Sequence, residues 1–421
     1  MKNHPGDIRI DEYRYDLPQE RIARYPLPER DASKLLVWDG KSITDRVFKE
    51  LPALLDRDNL LVFNNTRVIR ARLLFIKESG AAIEIFCLEP HEPHDFSQNL
   101  ASAGSVEWKC LIGNLKRWKA GKLRAQFVHE KSAKTIFAEK MEADGDTFTV
   151  RFSWEDDRIS FGEVLEAMGH MPIPPYLGRN DDESDAATYQ TVYARVSGSV
   201  AAPTAGLHFT PSVLQALTDN GIGIAEITLH VSAGTFRPVK SEKIIDHLMH
   251  TEHFFIARDT LQALRGRNIT AVGTTTVRTI ESLYWLGIMF AEGRWPAEGI
   301  PHISQWEPYN KDTLITMESS IDHLIRMMEQ KKTDVLEATT GLIIVPGYRF
   351  RAIRGMVTNY HQPGSTLLLL VAAFTGEVWK ELYSHALFSG YRFLSYGDCM
   401  LLMPEHSRHL KAANSLPERF L

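Results

Sequence analysis

Cysteine is scarce in this chain, with only Cys87, Cys110 and Cys399 among 421 residues. None sits in a CxxC pair or a His/Cys cluster, so neither a structural zinc site nor a disulfide framework is expected, and a reducing compartment is. Long apolar runs are missing too. The most apolar stretch, 367–374, falls far short of the ~20 residues that span a bilayer and predicts a buried core helix. Residues 1–7 lack the apolar region of a signal peptide, and the expectation is a cytoplasmic protein without a membrane contact. Positive charge is not in excess, at a net −5. No global field draws the chain onto nucleic acid, and any RNA contact has to come from a local patch. Absent as well are G-x-G-x-x-G, the P-loop lysine motif, the nucleophile elbow and any internal repeat.

What is present is a soluble globular composition, 44% hydrophobic and 24% charged, long enough for two or more structural units. Residues 73–158 are short alternating runs, such as Thr147-Phe148-Thr149-Val150-Arg151-Phe152, broken by Gly, Asp and Pro. They predict a small antiparallel β-barrel. On either side, strand and helix patterns alternate: strands at 60–63, 222–231 and 269–273, helices at 211–220, 259–265 and 276–286. The fold class expected is therefore α/β, a mixed, mostly parallel sheet core with helices (1–72 and 159–421), interrupted by the inserted barrel (73–158). Residues 292–338 read as a polar insertion within the core, with a helix of its own near 321–330.

Residues 198–210 organise the candidate site. Their glycines and alanines let backbone pass close to a neighbour, Thr204 and His208 supply polar groups, and Thr210-Pro211 begins a helix whose N-terminus favours an anionic group. Other polar stretches stand at strand or helix ends. One holds Asn64, Asn65, Thr66 and Arg67 after a buried strand; another holds His230, Thr235 and Arg237. Thr275, Arg278 and Glu281 open a helix, where Arg278 and Glu281 suit the carboxylate and ammonium of an amino acid, a local ion pair being the alternative. Asn359 and His361 precede the apolar helix, and Tyr391, Tyr396 and Asp398 close the core with aromatic faces that stabilise cations. The histidines at 247–253 lack a matching ligand pair, so no metal is expected. In the barrel, Lys109, Lys116, Arg117, Lys119, Lys122 and Arg124 alternate with Trp108 and Trp118, a pattern suited to phosphate contact and base stacking, though a solvated hairpin is the commoner explanation. These residues alone point to a metal-independent enzyme acting on a zwitterionic or nucleoside-like substrate.

Several of these stretches together resemble one family, the S-adenosylmethionine:tRNA ribosyltransferase-isomerases of queuosine biosynthesis. The likeness runs through Tyr15-Asp16-Leu17-Pro18, Arg30-Asp31-Ala32-Ser33, 64–68, 172–176, 189–194, 198–210, 228–239, 271–282, 346–348, 358–366 and 391–398. Ser232 stands where Gly is usual, Arg70 where Pro is usual and Asn65 where Asp is frequent. The resemblance implies transfer and isomerisation of the ribosyl part of S-adenosylmethionine onto 7-aminomethyl-7-deazaguanine at the wobble position of a tRNA with a GUN anticodon. Adenine and methionine leave, and the tRNA carries epoxyqueuosine. It implies no cofactor beyond S-adenosylmethionine as co-substrate, and a monomer is expected. For that chemistry His208, His230 and His361 are candidates for proton transfer and Asp398 for an acid or sulfonium partner. Arg278 and Glu281 are candidates for the methionine end, and Thr204, Thr235 and Asn359 for sugar hydroxyls. Asn64, Thr66, Arg67, Arg237, Thr275, Tyr391 and Tyr396 complete the binding candidates, with Lys116, Arg117 and Lys119 toward RNA. The alternatives are another S-adenosylmethionine-dependent RNA-modifying transferase and a non-catalytic RNA-binding protein.

Overall fold

A computed structural model describes residues 5–232, 234, 239–311 and 313–404. After short 3-10 turns, β1 (Lys34–Trp38), β2 (Ile43–Val47) and β3 (Asn59–Asn64) enter a large sheet, and β4 (Thr66–Val68) leads away from it. Six strands follow: β5 (Arg72–Ile76), β6 (Ala82–Glu92), β7 (Ser105–Ile112), β8 (Leu123–His129), β9 (Ser132–Asp144) and β10 (Thr147–Trp154). Helix α1 (Phe96–Ala101) precedes β7 and α2 (Phe161–Met168) follows β10. The chain returns through α3 (Asp185–Thr188), β11 (Val196–Ser199), α4 (Pro211–Asp219), β12 (Gly223–Leu229), β13 (Glu252–Ala257), α5 (Arg258–Leu264) and β14 (Asn268–Val272). It ends with α6 (Thr274–Ala291), β15 (His302–Ile303), α7 (Met317–Lys331), β16 (Val335–Thr340), β17 (Ile353–Asn359), α8 (Thr366–Thr375), α9 (Trp379–Phe388) and β18 (Cys399–Leu402).

The ten-stranded sheet has the order β15-β16-β13-β12-β3-β14-β17-β18-β1-β2. Its middle, β12-β3-β14-β17, is parallel, and β3 is buried from Leu60 through Asn64, as a parallel strand covered on both faces must be. Antiparallel pairings of β13 and β18 with their inner neighbours make the sheet mixed. The second sheet, β5-β6-β7-β10-β9-β8, is antiparallel throughout. It curls so that β5 approaches β8, and it encloses a separate core that includes Phe75, Ile83, Trp108, Trp118 and Phe152. An α/β core interrupted by an antiparallel barrel is thus the architecture. Cys87 and Cys110 face each other across β6 and β7 as free, buried thiols.

The barrel tryptophans correct one expectation. Trp108 and Trp118 are fully buried, with their Nε1 groups donating to Asn99 Oδ1 (2.6 Å) and Gly121 O (2.9 Å). They fill the barrel and offer no face to a base. Residues 292–338 also read differently in three dimensions. The stretch contributes β15 and the start of β16 to the sheet edge, and α7 packs Ile321, Leu324, Met327 and Met328 into the main core. Only the outer face of α7 is polar, which is the ordinary amphipathic pattern.

Helix α6 is buried on every face from Thr274 to Met289. Its hydroxyls are satisfied along the helix itself, with Thr276, Thr279 and Ser282 donating to the carbonyls of Val272, Thr275 and Arg278. Barrel and core meet at Gly198, whose φ of +146° and whose approach to His230 and Phe96 leave no room for a side chain. No helix among the described residues is long and apolar enough to cross a membrane.

Candidate active site

The parallel strands β12, β14 and β17 end at one edge of the sheet, where ligands of open α/β sheets bind. A cleft opens there. Its wall comes from five places: residues 202–205, Val231, the start of α6 at 273–275, residues 358–362 with the cap of α8, and Leu394-Ser395 beside Tyr176. Gly206 lets the first of these fold tightly, since a Cβ there would collide with Tyr193 Oη. Two helix N-termini, those of α6 and of α8 capped by Ser365, stand at the cleft and favour an anionic group. Of the residues singled out by sequence, Thr204, Thr275, Asn359 and His361 line it.

Behind the wall runs a buried polar network. His208 Nδ1 lies 2.8 Å from Ser33 Oγ, and its Nε2 lies 3.4 Å from Asn359 Nδ2. Asn359 Nδ2 donates to Leu394 O (3.1 Å) and Ser395 O (3.5 Å), while Asn359 Oδ1 is buried without a partner among the described residues. Burial pushes the His208 imidazole down to about 4, although the Asp398 carboxylate opposes the shift. At neutral pH the ring is neutral, with Nε2 facing the amide donor and Nδ1–H left for Ser33. His361 is pushed down to about 3, again by burial. Its Nε2 is 2.8 Å from Thr358 Oγ1, its N–H donates to Tyr383 Oη (3.1 Å), and Tyr15 Oη donates to its carbonyl. Leu394 holds φ +69°, a left-handed conformation that costs a bulky residue on the order of 1–3 kcal/mol and persists only where the surroundings enforce it.

That enforcement corrects the role expected of Asp398. Its carboxylate is 2% exposed and accepts from Lys34 N (3.1 Å), Arg392 N (2.8 Å) and Arg392 Nη2 (3.0 Å). It clasps the 391–398 loop and has little capacity left for a sulfonium. Glu281 is a second correction. Fully buried, it accepts from Tyr348 Oη and the backbone N–H groups of Arg351, Ala352 and Ile353 at 2.9–3.1 Å, pinning the start of β17 rather than lining the cleft. Burial raises its carboxyl pKa even against those donors. Arg278 is 3% exposed, with Nε on Leu342 O and Nη1 on Glu252, and its Nη2 lacks a partner among the described residues.

The remaining candidates divide by position. Asn64 ties β3 to the end of β12 through both backbone groups of Leu229, and Thr66 Oγ1 sits 3.4 Å from His230 Nδ1. His230 does not line the cleft; it stacks on Phe96 of the barrel at 4.4 Å between ring centroids, and burial lowers it to about 4. Arg67 is exposed near Glu166. Tyr391 donates to Asp45 and lies under Lys34, and Tyr396 donates to Asp185 (2.9 Å); both are structural contacts. Thr235 and Arg237 lie outside the described residues. Lys116, Arg117 and Lys119 are exposed on the barrel, and none lines the cleft. Sequence reasoning did not single out Ser33, Tyr176, Leu394 or Ser395 as site residues. All four lie inside stretches that carry the family resemblance, which was the available signal.

Fold and cleft together define the class, an α/β protein whose inserted barrel interrupts a core with a cleft at its strand ends. The particular family follows. The chain belongs to the family described as queuosine biosynthesis protein, whose model matches residues 10–402. Its relatives include an S-adenosylmethionine:tRNA ribosyltransferase-isomerase of Syntrophomonas wolfei, 41% identical over 94% of this chain and 97% of its own. One of that name from Treponema denticola is 38% identical over 93% and 99%. The crystal structure of S-adenosylmethionine tRNA ribosyltransferase from Thermotoga maritima is 28% identical, covers 93% of this chain and all of its own, and superposes with a TM-score of 0.44.

Proposed function

We propose that the chain transfers and isomerises the ribosyl moiety of S-adenosylmethionine onto the aminomethyl group of 7-aminomethyl-7-deazaguanine at the tRNA wobble position. The products are epoxyqueuosine-tRNA, adenine and methionine, and S-adenosylmethionine is the co-substrate. The observation that carries this reading is the match of nearly the whole chain to enzymes of that name. The cleft adds chemistry suited to it: a polar wall with two neutral histidines at hand and an unclaimed amide oxygen.

In this reading the sulfonium acidifies the adjacent ribose carbon, and a neutral buried histidine accepts that proton. His208, bonded to Ser33 behind Asn359, and His361, in the wall, are the candidates. Thr204, Thr275 and Asn359 hold the nucleoside, and the helix N-termini of α6 and α8 face the anionic end of the methionyl group. Arg278 supports the same end through its free Nη2. The aminomethyl nitrogen bonds to the sugar and gives up a proton, adenine departs carrying one, and the carbon–sulfur bond breaks as a sugar oxygen closes the epoxide, so that methionine leaves with the electron pair. Lys116, Arg117 and Lys119 meet tRNA phosphates. The substrate is a tRNA with a GUN anticodon, and the enzyme works in the cytoplasm as a monomer.

The test is incubation of the protein with S-adenosylmethionine and tRNA carrying the modified base. Release of adenine and methionine in equal amounts is expected. Recovery of S-adenosylhomocysteine instead would assign a methyltransferase, and binding without any product would leave an RNA-binding protein.

A further inference from the structure

Asn359 presents a choice that the fold has made in advance. An amide side chain can offer a cavity either its oxygen or its nitrogen, and the two differ little in shape. Here the nitrogen faces two carbonyls, those of Leu394 and Ser395, which can only accept. Turning the amide over would set its oxygen against both of them. The nitrogen is therefore committed, and Oδ1 is the unclaimed atom of a residue that lines the cleft and is 2% exposed.

The two carbonyls stand where they do because Leu394 is left-handed, with φ +69°. Nothing about leucine favours that conformation. The loop around it imposes it: Leu394 N–H donates to Tyr360 O (3.2 Å), and Gly397 N–H returns to Leu394 O (2.9 Å). The Asp398 clasp closes the loop from outside.

We infer that Leu394 is a positioning residue: its left-handed backbone holds the Asn359 amide so that Oδ1 accepts a hydrogen bond from an O–H or N–H donor of the S-adenosylmethionine nucleoside. This rests on the cleft being the S-adenosylmethionine site. It makes the wall selective for a neutral donor at that point, and it assigns Leu394 a role that its apolar side chain does not suggest.

Two substitutions separate backbone from packing. Glycine adopts positive φ freely but removes the side chain; valine keeps apolar volume but resists positive φ. A backbone role predicts that Leu394→Gly keeps a KM for S-adenosylmethionine near that of the parent, whereas Leu394→Val raises it about 3- to 10-fold, the worth of one hydrogen bond. The KM for tRNA should stay unchanged in both. Asn359→Ala should raise the same KM, and Leu394→Val should add nothing further in that background. If valine is tolerated and glycine is not, packing decides and the inference is overturned. Variants are compared after their melting temperatures establish folding; Leu394→Asn, which tolerates positive φ, replaces the glycine variant if that fails to fold, and Leu394→Ile, β-branched like valine, replaces the valine variant. Competition by 2′-deoxy, 3′-deoxy and 6-deamino analogues then identifies the donor: the analogue lacking it should bind the parent more weakly and Asn359→Ala no worse. Equal loss in parent and variant for all three would also overturn the inference. Parent enzyme that releases no adenine would instead defeat the functional reading itself.

Discussion

The interior of α6 and the wall of the cleft are both polar and both buried, yet they are built differently. Around Glu281 every oxygen has two donors and the helix hydroxyls close on their own carbonyls. In the wall, Asn359 Oδ1 and Tyr360 Oη have no partner among the described residues, and His361 commits one ring nitrogen to Thr358. Buried polar groups are ordinarily satisfied, because an unpaired one costs about 1–3 kcal/mol. The satisfied cluster around Glu281 therefore reports what the fold needs, whereas the wall keeps groups that a ligand can claim. Burial alone does not tell them apart.

Removing groups from each region should separate activity from stability. The largest effect is expected from His208→Ala, which deletes the ring between Ser33 and Asn359: adenine release should fall by about 100-fold or more with the native near-ultraviolet spectrum retained. Near-normal turnover would take His208 out of the site. Glu281→Ala should do the opposite. It strips four buried donors of their acceptor, so the urea midpoint should fall by the equivalent of about 3 kcal/mol. Turnover per folded molecule should hold. An unchanged midpoint would mean that the carboxylate is not the clasp its geometry describes.

The difference between the two regions explains what the sequence made legible. The helix expected over 211–220 was readable because Thr210 and Pro211 are local signals, and they stand as its cap and first residue. The barrel was readable from its alternation. The cleft loop was readable as small residues with polar groups among them, and Thr204, Asn359 and His361 do meet there. Illegible was the partner of each charge. Glu281 looks like a ligand group until residues 351–353 fold against it from 70 positions away. Asp398 looks like an acid until Arg392 and Lys34 claim it. A left-handed leucine has no sequence signature at all, since the loop rather than the residue imposes it.

His230 sharpens the comparison, being buried and nearly satisfied but turned toward the barrel. Its folded pKa of about 4 lies below the unfolded value of about 6.5. As pH falls through 6.5 the unfolded chain takes up a proton that the folded chain refuses. Stability present above pH 6.5 is then lost progressively toward pH 4, by up to about 3 kcal/mol. His230→Phe, which keeps a ring against Phe96, should flatten the melting temperature between pH 7 and 4.5 relative to the parent and leave adenine release near normal. Parallel melting curves would show that His230 already carries its proton in the fold.

The smallest effect is expected where unclaimed groups meet water. Lys116, Arg117 and Lys119 have no carboxylate within ion-pair distance among the described residues, but their exposure makes that state cheap. Their loop sits at the barrel end away from the core, tied to the β5–β6 turn by Lys77 on Arg117 O (3.1 Å) and by Asn114 on Ala82 O (3.0 Å). Neighbouring Lys122 is already paired with Glu139. Replacing all three by alanine should leave kcat and the KM for S-adenosylmethionine unchanged. It should reduce the slope of log affinity for tRNA against log salt by up to about 3, one for each phosphate no longer neutralised. An unchanged slope would make this a solvated hairpin. A change in kcat would break the comparison, since it would mean that unclaimed charge at the surface, and not only in the wall, reaches the chemistry.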